Sequence, residues 1–215
     1  MLLSLLLQGQ VALFLLIAIG LVISLTFHEF GHALVAKWCG DSTAERAGRL
    51  TLNPAAHIDP VGLLMVVMIG FGYARPVPTN PANYTFRWAD LLVSAAGPAM
   101  NLILACVAWN FFLLGILLRW DVMNMFGAQV FFKNLVQINL VLMAFNLIPL
   151  GSLDGHYILP YFLSKRLATK YRAFNAQYGN LALLALVALS FVGIPVFSFV
   201  ISVGNSLLPF ITFIR

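Results

Sequence analysis

The stretch "VALFLLIAIGLVISLTFHEFGHALVAKW" occupies residues 11–38, and the first basic residue of the chain, Lys37, comes only near its end. A helix needs about 20 apolar residues to cross roughly 30 Å of hydrocarbon, so this stretch is long enough to span a membrane. It nevertheless carries two histidines and a carboxylate, at His28, Glu29 and His32. Ionisable groups are costly inside a membrane and usually mark a functional site there. The stretch therefore predicts a spanning helix with a functional site on it.

The composition extends this interpretation to the whole chain. Of its 215 residues, 61% are hydrophobic and 9% are charged, with a mean hydropathy of +0.95, whereas soluble domains carry about 25% charged residues. Further runs without a charged residue cover 91–118, 134–153 and 173–214. We interpret residues 1–215 as a single membrane-embedded domain. The 12 basic against 7 acidic residues fit the positive-inside rule and do not indicate nucleic-acid binding.

Five hydrophobic segments organise the chain: A (Val11–Trp38), B (60–74), C (91–118), D (130–148) and E (181–203). The first lacks the basic region of a signal peptide, so we expect it to be retained. Segment B is too short to span, and irregular backbone at membrane depth must be buried or line a cavity. We therefore predict an all-α polytopic membrane protein with about five hydrophobic helices and a re-entrant or small β-hairpin segment between the first and second full spans. The run 173–214 fits either one span with a tail or a helical hairpin.

A basic cluster between segments D and E sets the expected orientation. It contains Lys165, Arg166, Lys170 and Arg172 and no acidic residue, so we expect this connection to be a cytoplasmic loop. If segment B only dips into the membrane, segments A and D both end at the cytoplasmic face. A spanning B would place those two ends at opposite faces.

His28, Glu29 and His32 form an H-E-x-x-H motif. Positions four apart share a helix face, so the two imidazoles can bind one metal ion. Glu29 lies next to the first ligand, where it can act on a water molecule at the metal. The motif is typical of metalloproteases, and we assign Zn²⁺ as the cofactor, with His28 and His32 as metal ligands and Glu29 as the catalytic base. The alternative is that these side chains satisfy one another in a core without a metal.

A catalytic zinc ion usually has three protein ligands and one open position, so a third ligand is required. Asp154 is the leading candidate, because it follows a helix that Pro149 is expected to end, in a glycine-containing turn that can aim a carboxylate inward. The alternative is that Asp154 is a surface aspartate in a loop and does not bind a metal ion. Other candidates for the third ligand are His57, His156, Glu45 and Asp59.

Three motifs follow one another on hydrophobic segments: "HEFGH" at 28–32, "AAGPAMN" at 95–101 and "NLIPLGSLDGH" at 146–156. Together with "NPAAHIDPVG" at 53–62, they resemble the site-2 protease family of intramembrane zinc metalloproteases, in particular its small prokaryotic members. The segment at 53–62 is similar to the one that leads into a membrane-embedded β-hairpin in that family. The resemblance implies a membrane protease of a prokaryotic cell membrane. The orientation set by the basic cluster, with a re-entrant segment B, independently places the site toward the cytoplasmic half.

The resemblance also assigns roles to individual residues. It implies that His28, His32 and Asp154 bind zinc and that Glu29 is catalytic. Larger members carry PDZ or CBS domains, which do not fit in the remaining length, so we expect regulation by such a domain to be absent or supplied by another protein.

Asn101 and Asn146 each place an amide group in a hydrophobic segment. We predict that both take part in catalysis, by holding the substrate backbone or by donating to the oxyanion. The alternative is ordinary hydrogen bonding between helices. Gly97 and Pro98 are expected to shape close packing beside the site.

These features predict an intramembrane zinc metalloprotease that hydrolyses peptide bonds within or near transmembrane segments, in regulated intramembrane proteolysis. The expected partners are a single-pass membrane-protein substrate and the lipid bilayer, without nucleic acid, and no oligomeric state is predicted. The rival interpretation is a non-proteolytic zinc-binding membrane protein, such as a metal transporter or a client-binding scaffold. A transporter would be expected to show repeated segments and paired half-helices.

Overall fold

The computed structural model describes residues 2–69 and 72–214. Its α-helices are α1 (Leu2–Leu7), α2 (Val11–Trp38), α3 (Thr43–Arg46), α4 (Pro60–Ile69), α5 (Ala89–Leu117), α6 (Asp121–Asn124), α7 (Phe126–Asn146), α8 (Asp154–Ile158), α9 (Lys165–Phe174), α10 (Asn180–Phe191) and α11 (Val196–Ser206). Short 3₁₀ turns occupy Pro54–Ala56, Pro81–Asn83, Leu159–Phe162 and Leu208–Ile211, and a π-helical turn, Asn175–Gly179, joins α9 to α10.

Among the described residues, four helices are long and apolar enough to cross a membrane: Val11–Trp38, Ala89–Leu117, Phe126–Asn146 and Lys165–Ser190. The protein is therefore a multi-pass membrane protein. Helix α2 has the bounds predicted for segment A, while α5 and α7 begin and end within four residues of segments C and D. The helical prediction is confirmed for these three segments.

The C-terminal region differs from the prediction in two ways. Segment E, delimited as 181–203, is not one continuous helix, because α10 ends at a turn and α11 begins after it. Gly193 adopts a φ of +95° in this turn, and Pro195 follows without a backbone donor, so a continuous helix cannot form. The connection expected to be a loop is instead the helix α9, whose basic side chains are exposed. Residues 180–206 thus form two helices joined by a turn.

Segment B begins with a helix. Helix α4 is about 15 Å long at 1.5 Å per residue. Its sequence is a continuous apolar run, and periodicity alone does not show whether such a run forms a helix or a strand. The chain then turns back, and a Cβ atom added at Gly62 would collide with the backbone oxygen of Tyr73. Residues 72–80, here called the strap, form neither helix nor strand. No strand occurs in the described part of segment B, and its residues 70–71 lie outside the described residues.

Helices α2 and α5 pack closely because small residues line their contact. A Cβ atom at Gly31 of α2 would lie 2.8 Å from the backbone oxygen of Ala96 in α5. Nearer the end of α2, Ala36 packs in a buried cluster with Ala89 and Val93 of α5. Lipid is as apolar as these side chains, so close van der Waals packing, rather than a hydrophobic driving force, holds such helices together. The contact places the histidine-bearing face of α2 against α5.

Buried polar residues tie the strap to the segment that follows α2. Arg49, which is 7% exposed, donates to the backbone oxygens of Arg75 and Pro76 at 2.5 and 3.0 Å. Asp41, which is completely buried, accepts the backbone N–H of Asn80 at 2.6 Å. The strap is therefore anchored in its middle and at its C-terminal end.

The Asp41 carboxylate accepts three further hydrogen bonds. It accepts the backbone N–H and the hydroxyl of Thr43 and the side-chain amide of Asn83. Burial raises the pKa of Asp41, but the hydrogen bonds from Asn83, Thr43 and Asn80 outweigh burial and lower it from 3.8 to about 2. The carboxylate therefore stabilises the fold fully above its unfolded-state pKa of about 3.9. That contribution is lost as the pH falls toward the folded-state value.

We predict that Asp41→Asn lowers the free energy of unfolding by about 2 kcal/mol at pH 7, the amount typical of hydrogen bonds to a charged group. The difference from wild type should shrink as the pH falls from about 4 toward the folded-state pKa of about 2, because in this range the unfolded wild-type chain takes up a proton at this carboxyl group before the folded protein does. Thermal unfolding in detergent at several pH values measures it, with Asp121→Asn at an exposed site as the matched control. A deficit of equal size at pH 3 and pH 7 would contradict this account.

Candidate metal centre

Helix α2 presents His28 and His32 on one face, and their Nε2 atoms lie 3.1 Å apart. Asp154, the first residue of α8, reaches both rings. Its Oδ2 lies 3.3 Å from His28 Nε2, and its Oδ1 lies 3.3 Å from His32 Nε2. Among the described residues, these three make up the one group of histidine, cysteine and acidic side chains placed to hold a metal ion.

The loop before α8 aims Asp154 at the two histidines. Gly151 adopts a φ of +63° in this loop, a conformation that residues with a Cβ atom rarely adopt. The side chain of Asn175 accepts the N–H of Gly151 and donates to its carbonyl oxygen, both at 2.8 Å. Asn175 begins the π-helical turn between α9 and α10. Asn175, in the candidate span Lys165–Ser190, therefore holds the loop that carries the Asp154 carboxylate through two hydrogen bonds.

A hydrogen bond to the backbone orients the His32 ring. Its Nδ1 lies 2.7 Å from the carbonyl oxygen of Val93 in α5. Because a carbonyl can only accept, Nδ1 carries a proton. In the neutral ring, the Nε2 lone pair then points toward His28 and Asp154, which is the state that a metal ion requires.

The donor set and its spacing fit zinc. Zn²⁺ binds imidazole nitrogens and carboxylate oxygens in tetrahedral geometry at about 2.0–2.2 Å. With these bond lengths and a tetrahedral angle, neighbouring ligand atoms lie roughly 3.3 Å apart. The separations found here are 3.1 to 3.3 Å. Asp154 Oδ2 is also buried and accepts no hydrogen bond, which is costly for a carboxylate without a neighbouring cation. The three residues thus fit a zinc ion with a fourth position left for water or substrate.

Gly97 of α5 leaves the space that the two imidazoles occupy. A Cβ atom at this position would lie 2.6 Å from His28 Nε2 and would collide with His32 Nε2. Pro98 follows within α5, where it removes one backbone donor from the helix. The expected packing role is confirmed for Gly97.

Glu29 is 8% exposed and faces the strap. Its Oε2 accepts the backbone N–H of Val77 at 3.1 Å. The carboxylate is also close enough to His32 and to the Arg49 guanidinium for their charges to interact. No other hydrogen bond to Glu29 is found in the described ranges, so its second oxygen is free to contact water.

The two predicted asparagines lie in different surroundings. Asn101 is completely buried, with its Oδ1 2.6 Å from His28 Nδ1. Asn146, the last residue of α7, donates to the carbonyl oxygen of Leu142 in its own helix at 3.0 Å. Of the two, Asn101 contacts a histidine of the metal centre. The catalytic roles predicted for both residues stay predictions.

The other candidates for the third ligand have different partners. His57 and His156 hydrogen-bond to a backbone carbonyl and to a tyrosine hydroxyl, respectively. Glu45 forms an exposed ion pair with a lysine at 2.6 Å, and Asp59 accepts two backbone N–H groups at the start of α4. The structure does not bring any of these four side chains to the two histidines of α2.

Two residues beside the site were not predicted from the sequence. Arg49 gives no signal beyond a basic residue in a loop, because its contacts depend on the chain folding back at the strap. Asn175 is visible only as an amide in a charge-free run, and such a residue can be recognised as one that needs a partner. Which partner it finds depends on the packing of α9 and α10 against the loop before α8.

Comparison with known proteins agrees with this geometry. The profile of Peptidase family M50 matches residues 16–118. "Putative zinc metalloprotease YwhC" of Bacillus subtilis is 47% identical over 149 residues, which cover 66% of this chain and 67% of that protein. "Putative zinc metalloprotease Rip2" of Mycolicibacterium smegmatis is 34% identical over 155 residues, covering 69% of this chain and 57% of that protein. Rip2 of Mycobacterium tuberculosis is 33% identical, with 56% of its length covered. No solved structure matches the chain.

The fold and the site together define a multi-pass membrane protein with a buried centre of two histidines and one carboxylate. The chain belongs to Peptidase family M50, the zinc metalloproteases of site-2 type. The resemblance found in its motifs is thereby confirmed, and zinc is its cofactor. The matched region spans slightly more than half of each mycobacterial relative.

We predict that Gly97→Ala weakens zinc binding by about 100-fold, because the added methyl group displaces both imidazoles. Mutation of residues that position metal ligands typically lowers metal affinity by up to about 100-fold. Competition with a chromogenic chelator measures the affinity. The matched control is Gly127→Ala in α7, where a Cβ atom would meet no atom within 4 Å. Unchanged zinc affinity in Gly97→Ala would show that the imidazoles are not held where the structure places them.

Proposed function

We propose that this chain is an intramembrane zinc metalloprotease that hydrolyses peptide bonds within or near the transmembrane segments of single-pass membrane proteins, in regulated intramembrane proteolysis. The observation that carries the proposal is the convergence of His28, His32 and Asp154 on the side of a spanning helix. His28 lies ten residues before Trp38, the last residue of α2, or about 15 Å along the helix axis. Hydrolysis at this depth would take place below the membrane surface.

The three candidate ligands and Glu29 have separate roles in the proposed reaction. His28, His32 and Asp154 would hold the metal, and bound Zn²⁺ supplies Lewis-acid chemistry that polarises a peptide carbonyl and makes water nucleophilic near neutral pH. Glu29 is the general base. Because Val77 holds its Oε2, Oε1 takes the proton from the attacking water and later delivers a proton to the leaving amine.

The substrate must present an unwound stretch, because a helical peptide hides its carbonyl groups in hydrogen bonds. We assign segment B as a re-entrant element, because α4 is shorter than a span and Tyr73 packs back against it at Gly62. The strap that follows contacts Glu29 through Val77. This contact supports placing segment B beside the aqueous approach to the site, where irregular backbone is tolerated. Asn146 remains our candidate for holding the substrate or the oxyanion.

The orientation follows from the basic side chains of α9, which we place in the cytoplasm. Asp154 follows the end of α7 by eight residues and contacts histidines near the end of α2. This contact supports the arrangement in which α2 and α7 end at the same face. The site would then lie in the cytoplasmic half of a prokaryotic cell membrane, with water reaching it from that side.

Glu29→Gln is expected to lower proteolysis by about 10²- to 10⁴-fold, the range for loss of a general base, while zinc content stays at the wild-type level. The measurement is cleavage of a panel of single-span membrane proteins in reconstituted vesicles. Glu45→Gln, at the other glutamate of the chain, is the control and should cleave normally. Unimpaired cleavage by Glu29→Gln would remove the mechanism.

The ligand assignment is tested separately by metal content. A variant that combines His28→Ala with Asp154→Ala should purify without stoichiometric zinc, because a single remaining histidine is too weak a site, while Glu29→Gln retains the metal. A chelator should abolish wild-type cleavage, and added zinc should restore it. Equal zinc in the double variant and in wild type would show that the ligands are other residues. Zinc transport without cleavage would favour the transporter interpretation.

A further inference from the structure

Three completely buried polar side chains connect α2, α5 and α7 at the level of His28. They are Ser24, Asn101 and Asn139. Asn101 Nδ2 donates to Asn139 Oδ1 at 2.7 Å, and Asn139 Nδ2 donates to Ser24 Oγ at 2.8 Å. Polar groups in an apolar bundle are costly unless every one finds a partner. Here they are all paired, and the chain of hydrogen bonds ends at His28 Nδ1.

A backbone carbonyl fixes the direction of the Asn139 amide. Its Nδ2 lies 2.8 Å from the carbonyl oxygen of Leu135, one turn earlier in α7. The oxygen of a carbonyl can only accept, so the NH₂ group of Asn139 must face it. The Asn139 Oδ1 is then the atom that faces Asn101, and it can serve there only as an acceptor.

The same reasoning fixes Asn101. Its Nδ2 lies near two acceptors, the Asn139 Oδ1 and the backbone oxygen of Ser24, the latter at 3.2 Å. The NH₂ group must therefore point toward them, which turns Oδ1 toward His28 Nδ1 at 2.6 Å. Because this oxygen accepts, His28 Nδ1 must carry the proton, and in the neutral ring Nε2 keeps its lone pair. Two backbone carbonyls thus determine a tautomer at the metal centre.

We propose that Asn139, assisted by Ser24, is a positioning residue that acts through Asn101 to hold His28 in the Nδ1–H tautomer, with the Nε2 lone pair facing the metal. This inference rests on the proposed role of His28 as a zinc ligand. His32 obtains the same tautomer directly from the carbonyl of Val93. The His28 Nδ1 instead faces the side-chain amide of Asn101, which can rotate to present either a donor or an acceptor. The hydrogen bonds that Asn101 donates to Asn139 and to the Ser24 backbone are what turn its acceptor oxygen toward His28.

Asn139→Leu removes the nearer of the two acceptors that hold the Asn101 amide and leaves the backbone oxygen of Ser24 at 3.2 Å. The less firmly held amide can then turn its NH₂ group toward His28 Nδ1 more often, which favours the tautomer with the proton on Nε2 and opposes metal binding. We expect zinc affinity to fall by about 10- to 100-fold, the range for loss of an outer hydrogen bond to a ligand. Ser24→Ala should have a smaller effect in the same direction, because the Asn139 amide keeps its bond to Leu135.

The matched control is Asn134→Leu in the same helix. Asn134 also donates to the carbonyl oxygen four residues earlier, that of Val130, at 2.8 Å. Its hydrogen bond stays within α7, so its replacement should leave zinc affinity at the wild-type value. Affinity is measured by competition with a chromogenic chelator in detergent, and thermal unfolding of each metal-free variant checks that it is folded.

A second comparison separates positioning from simple packing. In an Asn101→Asp background, the ionised carboxylate offers His28 Nδ1 an acceptor in either orientation. Adding Asn139→Leu to that background should therefore cost no zinc affinity, whereas a packing defect at residue 139 would persist. The non-additivity of the two substitutions is the signature of coupling. An equal loss in both backgrounds would overturn the proposal.

The tautomer can also be observed in the wild-type protein without any variant. Imidazole ¹⁵N chemical shifts of metal-free, histidine-labelled protein should show a proton on His28 Nδ1, with assignment by His28→Ala. A proton on Nε2 in the neutral ring would overturn the proposal. Zinc retained by His28→Ala would instead refute the ligand assignment on which the inference rests. Zinc lost in His28→Ala but bound normally by Asn139→Leu would refute the positioning role alone.

Discussion

The structure depends on three acceptor atoms that meet in an apolar bundle. His28 Nε2, His32 Nε2 and the Asp154 carboxylate lie 3.1 to 3.3 Å from one another. Lone pairs at that distance repel, and a carboxylate without a cation is costly in such surroundings. A positive charge among them removes both penalties. The arrangement therefore fits a bound metal ion, and binding there would link the ion to the folding of three segments distant in sequence.

The rest of the molecule holds these atoms in place. Gly97 supplies the space for the rings, Val93 and Asn101 fix them through Nδ1, and Asn175 clamps the loop that carries the carboxylate. The strap adds a backbone N–H for Glu29 and is itself held by buried polar groups. Each of these contacts joins different segments of the chain. The site is thus a property of the packed bundle, and no single helix contains it.

The sequence predicts those parts of the fold that depend on local pattern. Charge-free runs locate α2, α5 and α7, and the spacing of His28 and His32 places both rings on one face. Asp154 could be nominated from its turn residues and from the resemblance. Partners across the bundle, such as the one that Asn139 finds, could not be predicted, because hydropathy does not show which polar groups meet. The split between α10 and α11 was left open because the apolar run continues through it, although Gly193 and Pro195 are local signals of a break.

The proposed function depends on one zinc ion bound by His28, His32 and Asp154 inside the bundle. The decisive experiment is a structure of the zinc-loaded protein with anomalous scattering recorded on both sides of the zinc absorption edge. We expect a single anomalous peak at about 2.0–2.2 Å from His28 Nε2, His32 Nε2 and an oxygen of Asp154. A peak at another set of side chains, or zinc-loaded protein with no peak among these three, would contradict it.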